Sequence, residues 1–169
     1  MADRVVLVNG LPASGKSTLG AELAEKLGWT FLSKDVLKEQ FGEMVWPQVS
    51  SARLGGLALD TLYALAALID GGVVLDAVWL STRDLPFLKA GLATMGEPHV
   101  VEVWCDIAED LARERFELRM IDRHPMHESW RPGFWEDAGP ITESPIRVDT
   151  SGVVDVERVA ALVLCARDR

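Results

Sequence analysis

Nine consecutive residues carry the densest chemistry in this sequence: Gly10, Leu11, Pro12, Ala13, Ser14, Gly15, Lys16 and Ser17 fill the pattern GxxxxGK[ST], and Thr18 follows. Glycines let the backbone curl until successive N–H groups point at one anion, and a helix starting near Lys16 adds the positive end of its dipole. In such a loop the Lys16 ammonium is expected to reach the β- and γ-phosphates of a nucleoside triphosphate, with the Ser17 hydroxyl as a ligand of Mg²⁺. ATP and Mg²⁺ are therefore the expected cofactors.

A phosphoryl group held this way can be passed to a hydroxyl if a carboxylate orients that hydroxyl and accepts its proton. Two aspartates follow apolar runs, where the carboxyl ends of parallel strands place their ligands: Asp35 after Phe31-Leu32-Ser33-Lys34, and Asp76 after Val73-Val74-Leu75. Asp35 is the expected general base, against the plainer role of a helix cap. Asp76 stands where a Walker-B acid would hold Mg²⁺, or where substrate hydroxyls would be bound, and both roles stay open. Trp79 and Arg83, just beyond it, are expected to line the acceptor pocket, with core indole and surface charge as their alternatives.

Arg115, Arg119 and Arg123 recur every four residues and share one helix face for as long as a helix continues. Guanidinium groups are permanent, bidentate donors for the charge spread over a transferring phosphoryl group, so Arg119 and Arg123 are candidate transition-state clamps; a solvated, salt-bridged face is the alternative. From about 119 to 139 the chain is rich in Arg, His, Pro, Gly and Trp without sustained period, as expected of a lid. His124 and His127 form an HxxH without further ordered ligands, weak grounds for zinc, and with Trp130 and Trp135 they are expected to shape that lid.

The elements that must position these groups alternate between short β-branched runs and longer helical periods, the pattern of βαβ units around a parallel sheet. Strands are expected at about 5–8, 29–32, 73–75, 100–104 and 146–148, with helices between them and a closing amphipathic helix from Val156. Asp84 and Asp106 are expected to cap two of the helices. The fold class is thus α/β: a three-layer P-loop arrangement, its five-stranded parallel sheet covered by helices on both faces, in a single domain over 1–169.

The 169 residues are 49% hydrophobic and 25% charged, enough apolar surface for a substantial core. A net charge of -9 disfavours a nucleic-acid partner, which draws on excess Lys and Arg, and would tolerate a cationic acceptor such as an amino sugar. The stretch Leu54 to Ile69 is apolar but interrupted by Asp60 and short for a bilayer, so no membrane partner is expected. Cys105 and Cys165, with no metal spacing, are expected as buried free thiols in a reducing, cytoplasmic setting. No NKxD tetrapeptide is present, which removes the guanine-reading element of a small GTPase.

Taken together, GLPASGKST, LSKDVLKE, VVLDAVW, the run Arg113 to His127 and the closing IRVDTSG resemble the zeta-toxin-like and chloramphenicol-phosphotransferase-like small P-loop kinases, with gluconate and adenylylsulfate kinases as more distant relatives. The resemblance implies an ATP-dependent phosphotransferase acting on a hydroxyl of a small molecule, with Asp35 as the base and Arg119 and Arg123 in the lid. It also implies that Arg115 packs near the adenine and that Asp149-Thr150-Ser151-Gly152 forms the adenine-side loop. A nucleoside or nucleotide kinase, and an ATP-binding regulatory module without an acceptor, are the competing expectations.

Overall fold

Alternating small and branched residues in Ala2–Gly10 (β1) send Val6 and Val8 to one side of a sheet and Val5 and Leu7 to the other, all nearly inaccessible to water. Both faces are therefore roofed. The computed structural model describes residues 2–121, 123–127, 135 and 137–166. In chain order the elements are α1 (Lys16–Leu27), β2 (Thr30–Ser33), α2 (Lys34–Val45), α3 (Ser51–Ala67), β3 (Gly71–Asp76), α4 (Leu85–Thr94), β4 (His99–Asp106), α5 (Glu109–Arg119), β5 (Ile146–Asp149) and α6 (Val156–Cys165).

The five strands are all parallel, in the order β2-β3-β1-β4-β5, so β1 is central and its carboxyl end opens directly onto the glycine loop. Leu19, Leu23 and Ala24 of α1 and Val159, Ala160 and Val163 of α6 close one face over Val6, Val8, Val74, Val101 and Val103. Leu62, Tyr63 and Ala66 of α3 and Leu88 of α4 close the other over Val5, Leu7, Val73 and Leu75. Each fully buried Val or Leu among these contributes about 1.5–3 kcal/mol by removal from water, which is why the sheet centre is apolar on both sides.

Buried polar residues interrupt that apolar sheet. Glu102, in β4 beside Leu7, is 1% exposed, and its carboxylate accepts from Asn9 Nδ2 (3.0 Å), Ile141 N (2.9 Å), Thr142 N (2.8 Å) and Thr142 Oγ1 (2.8 Å). Asn9 in turn accepts from Gly10 N (2.9 Å) and Trp79 N (3.0 Å) and donates to Trp79 O (3.1 Å). The network ties the ends of β1 and β4 to the chain beyond β3 and to the segment that leads into β5. Glu102→Ala would strand several buried donors, and we expect a loss of about 3 kcal/mol or more, read as a lower urea midpoint at unchanged slope.

Boundaries depart from expectation where a cap was misassigned. Asp106 is the last residue of β4, and α5 begins after Ala108, whose side chain has no oxygen to offer a cap. The Asp106 carbonyl instead receives Thr150 N at 3.0 Å, holding the end of β4 against the loop after β5. Asp84 does sit at the N-terminus of α4, but its carboxylate accepts from Leu80 N (2.9 Å) and from Arg83 rather than from the helix. Cys105 is buried as expected, whereas Cys165 lies exposed near the end of α6. Among the described residues no helix is long and apolar enough to cross a membrane.

Candidate active site

The glycine loop owes its shape to three residues with positive φ: Gly10 (149°), Ala13 (59°) and Gly15 (92°). A side chain at Gly10 would lie 2.9 Å from the Cys105 carbonyl, so close packing on β4 demands glycine there. Gly15 precedes α1 without any side-chain cap, which leaves the helix's first N–H groups directed at the loop interior, a cradle suited to phosphate. Lys16 is 8% exposed, and its Nζ donates across the loop to Leu11 O at 2.7 Å. Burial lowers the Lys16 pKa, with Arg119 adding to the effect and Asp76, Cys105 and Asp35 opposing it. Beneath the loop, burial pushes the Cys105 thiol up to about 12, so it is un-ionised and inert at neutral pH.

Asp76 closes β3 at 3% exposure, and two hydroxyls converge on its Oδ2: Ser17 Oγ at 2.7 Å and Ser33 Oγ at 2.8 Å. Ser33 is the register partner of Asp76 across the β2–β3 ladder, so the pairing of two strand ends builds this cluster. Hard oxygen donors of this kind, next to a phosphate cradle, fit Mg²⁺. Among the described residues no group of three or more His, Cys, Asp and Glu is placed to hold a metal ion.

Asp35 lies in the first turn of α2; Ser33, not Asp35, is the N-cap residue. Although removal from water pushes its carboxyl up, Lys34, Arg123, Lys16 and His127 together hold its pKa down at about 2. Arg123 supplies the nearest guanidinium, Nη2 at 3.3 Å from Asp35 Oδ2. The arginine column does not continue as one helix face: α5 ends at Arg119, and Arg123 crosses to α2 instead. Arg119 stays in the last turn of α5, exposed, close enough to Lys16 to depress its pKa. Arg115 turns the other way, donating to Thr150 O (3.0 Å) and Ser151 O (2.7 Å) in the loop that touches Gly15.

Two expected pocket residues are placed elsewhere. Trp79 is 1% exposed in the core, its Nε1 donating to Tyr63 Oη at 2.9 Å, because the Asn9 bonds draw its backbone inward. Arg83 is engaged by its neighbour, Nε to Asp84 Oδ1 and Nη2 to Asp84 Oδ2, both at 2.7 Å. Among the described residues neither side chain bonds to the loop or to Asp35; they turn to Tyr63 and Asp84 instead. Trp130 lies outside the described residues.

A family model described as an AAA domain, AAA_33, matches residues 5–128, from the first strand through the phosphate loop, both aspartates and the arginine column. The chain belongs to the AAA domain family. No curated protein matches this AAA domain chain. Among solved structures, a presumed kinase from Chloroflexus aurantiacus is 26% identical with a TM-score of 0.81, covering 99% of this chain and 98% of its own. An APS kinase from Mycobacterium tuberculosis, solved with AMPPNP and APS, is 18% identical with a TM-score of 0.62 and 98% of each chain covered. A gluconokinase from Sinorhizobium meliloti is 18% identical with a TM-score of 0.58, covering 98% of this chain and 93% of its own. The expected fold stands: an α/β P-loop kinase-like domain with a five-stranded parallel sheet. The comparisons are coarser than the expected likeness to zeta-toxin-like or chloramphenicol-phosphotransferase-like kinases.

Two residues of this AAA domain site were not picked out from the sequence. Ser33 gave a signal as a hydroxyl at a strand end, legible only once β2 is paired in register with β3. Glu39 gave another, lying one turn beyond Asp35 on the same face of α2; its Oε1 is 2.8 Å from Arg123 Nη2 and 2.8 Å from His127 Nε2.

Proposed function

We propose that this chain transfers the γ-phosphoryl group of ATP to a hydroxyl of a small molecule. The observation that carries the proposal is the gathering, at one sheet edge, of an uncapped phosphate cradle with Lys16, the Ser17–Asp76–Ser33 oxygen cluster, and Asp35 beside a guanidinium. Lys16 and the loop N–H groups bind the phosphates, and Arg119 and Arg123 supply charge to the transferring group. Ser17 and Asp76 would hold Mg²⁺, which when bound neutralises the phosphates and fixes their orientation. Asp35 orients the acceptor hydroxyl and takes its proton as the new P–O bond forms and the bond from the γ-phosphorus to the β–γ bridging oxygen breaks, releasing ADP. Arg115, Thr150 and Ser151 form the adenine side.

A carboxylate beside the phosphate cradle supports a hydroxylated small molecule as the acceptor, of which sugars, amino sugars and hydroxyl-bearing antibiotics are the classes to try. A pooled library of these, with nucleosides as a separate arm, should yield an ATP-dependent mass gain of one phosphate in a sugar or antibiotic arm. Gain confined to the nucleosides would reassign the acceptor class. ATP and Mg²⁺ binding without product in any arm would make the chain a nucleotide-binding module.

A further inference from the structure

Residues 123–127, beyond α5, are seated on α2 and the residue after it by a set of contacts that the phosphate loop does not account for. Arg123 and His127 both turn to Glu39: Arg123 donates from Nη2 (2.8 Å) and Nε (3.1 Å), and His127 Nε2 lies 2.8 Å from the same Oε1. Between them Met126 is 1% exposed and packs where Gly42 leaves room, since a Cβ at Gly42 would meet the Met126 sulfur and methyl at 2.6 Å. His124 stands edge-on to Trp46, with ring centroids 6.3 Å apart. A local turn, His127 N to His124 O at 3.1 Å, and a bond from Met126 N to His124 Nδ1 at 3.2 Å shape the segment that docks.

From this arrangement we propose that Glu39 is a positioning residue for phosphoryl transfer: it holds the Arg123 guanidinium in register with Asp35, using His127 as a second donor to keep its own carboxylate in place. The proposal rests on the kinase function above. A guanidinium on a long, unanchored stem samples many rotamers, and a carboxylate on the neighbouring helix turn removes that freedom before the phosphate arrives. Glu39 is suited to this because it shares a face of α2 with Asp35, so Arg123 spans the two carboxylates with a single planar group. Its own contact with the reacting atoms is not required.

The test is a double-mutant cycle on turnover, paired with hydrogen exchange of the free protein. Glu39→Gln and Glu39→Ala should each lower kcat by about tenfold or more with KM for ATP nearly unchanged, and the loss with Gln should be the smaller. On an Arg123→Ala background, where kcat has already fallen, Glu39→Ala should cost almost nothing further, because its effect passes through the missing guanidinium. Full additivity in kcat would overturn the proposal. Independently of catalysis, the Met126 and His127 amides should exchange about tenfold faster in Glu39→Ala while the unfolding midpoint stays put; unchanged exchange would overturn the seat itself. A wild-type protein that turns over no acceptor, yet shows the exchange effect, would sink the kinase function and leave the seat standing.

Discussion

Lys16→Met should abolish most turnover without weakening the fold. The ammonium lies across the phosphate cradle, and removing a preorganised donor from such a site costs on the order of a hundredfold to a thousandfold in kcat. Stability runs the other way. Burial lowers the Lys16 pKa below its unfolded value, so at neutral pH the unfolded state holds that proton more firmly than the folded one, and the charge is a net burden on folding. That burden is fully present below the folded pKa and is relieved as pH rises from the folded towards the unfolded value. The Met variant, of similar length and uncharged, is therefore expected to melt at or above the wild-type temperature. Intact turnover would defeat the kinase proposal, and a lower melting point would show that the Leu11 bond outweighs the cost of burying the charge.

Asp35→Asn should depress kcat on the order of a hundredfold or more while KM for ATP moves little, the signature of a group that acts on the acceptor in the transition state. A pure KM effect would make Asp35 a binding residue only. With a pKa of about 2 in the free protein, Asp35 is ionised throughout the neutral range, so it contributes no acid limb to kcat/KM above about pH 3. Such a weak base gains proton affinity if Arg123 shifts towards an arriving phosphate, and kcat, unlike kcat/KM, is expected to show an acid limb. The linkage is the ordinary one for a depressed carboxylate: whatever stability its ion pairs add is complete above the unfolded value of 3.8 and is lost as pH falls through about 2. Because the Asp35 side chain is 46% exposed, that contribution is small, and Asn at this position should fold normally.

The sheet and the phosphate loop were legible because both are local. Four apolar residues, a glycine turn and a helix period suffice to place β1, the cradle and α1, and Gly28 stops that helix in the left-handed conformation as its position suggests. The parallel strands read as short apolar runs for the same reason. What escaped was everything decided across the fold. Whether Asp106 caps a helix or ends a strand depends on β5 lying beside it, and Trp79 turns inward only because Asn9 claims its backbone. The four-residue spacing of the arginines was real, but α5 ends at Arg119, the second of the three, and Arg123 turns to Asp35 and to Glu39, 84 residues away. Spacing predicts a shared face only while the helix lasts.

Asn9 and Gly10 form the dipeptide most prone to spontaneous chemical ageing, in which the glycine nitrogen attacks the asparagine side-chain carbonyl, ammonia leaves, and water opens the resulting imide to aspartate or isoaspartate. In the native strand the Gly10 N–H instead donates to Asn9 Oδ1, the backbone is held by its pairing with Trp104 and Cys105 of β4, and no water reaches the 0% exposed side chain. Once the chain has opened, that protection is gone, and an aspartate at position 9 would set a second negative charge against Glu102 on attempted return. Shelf life of the purified protein should accordingly follow the time its molecules spend open rather than the age of the sample.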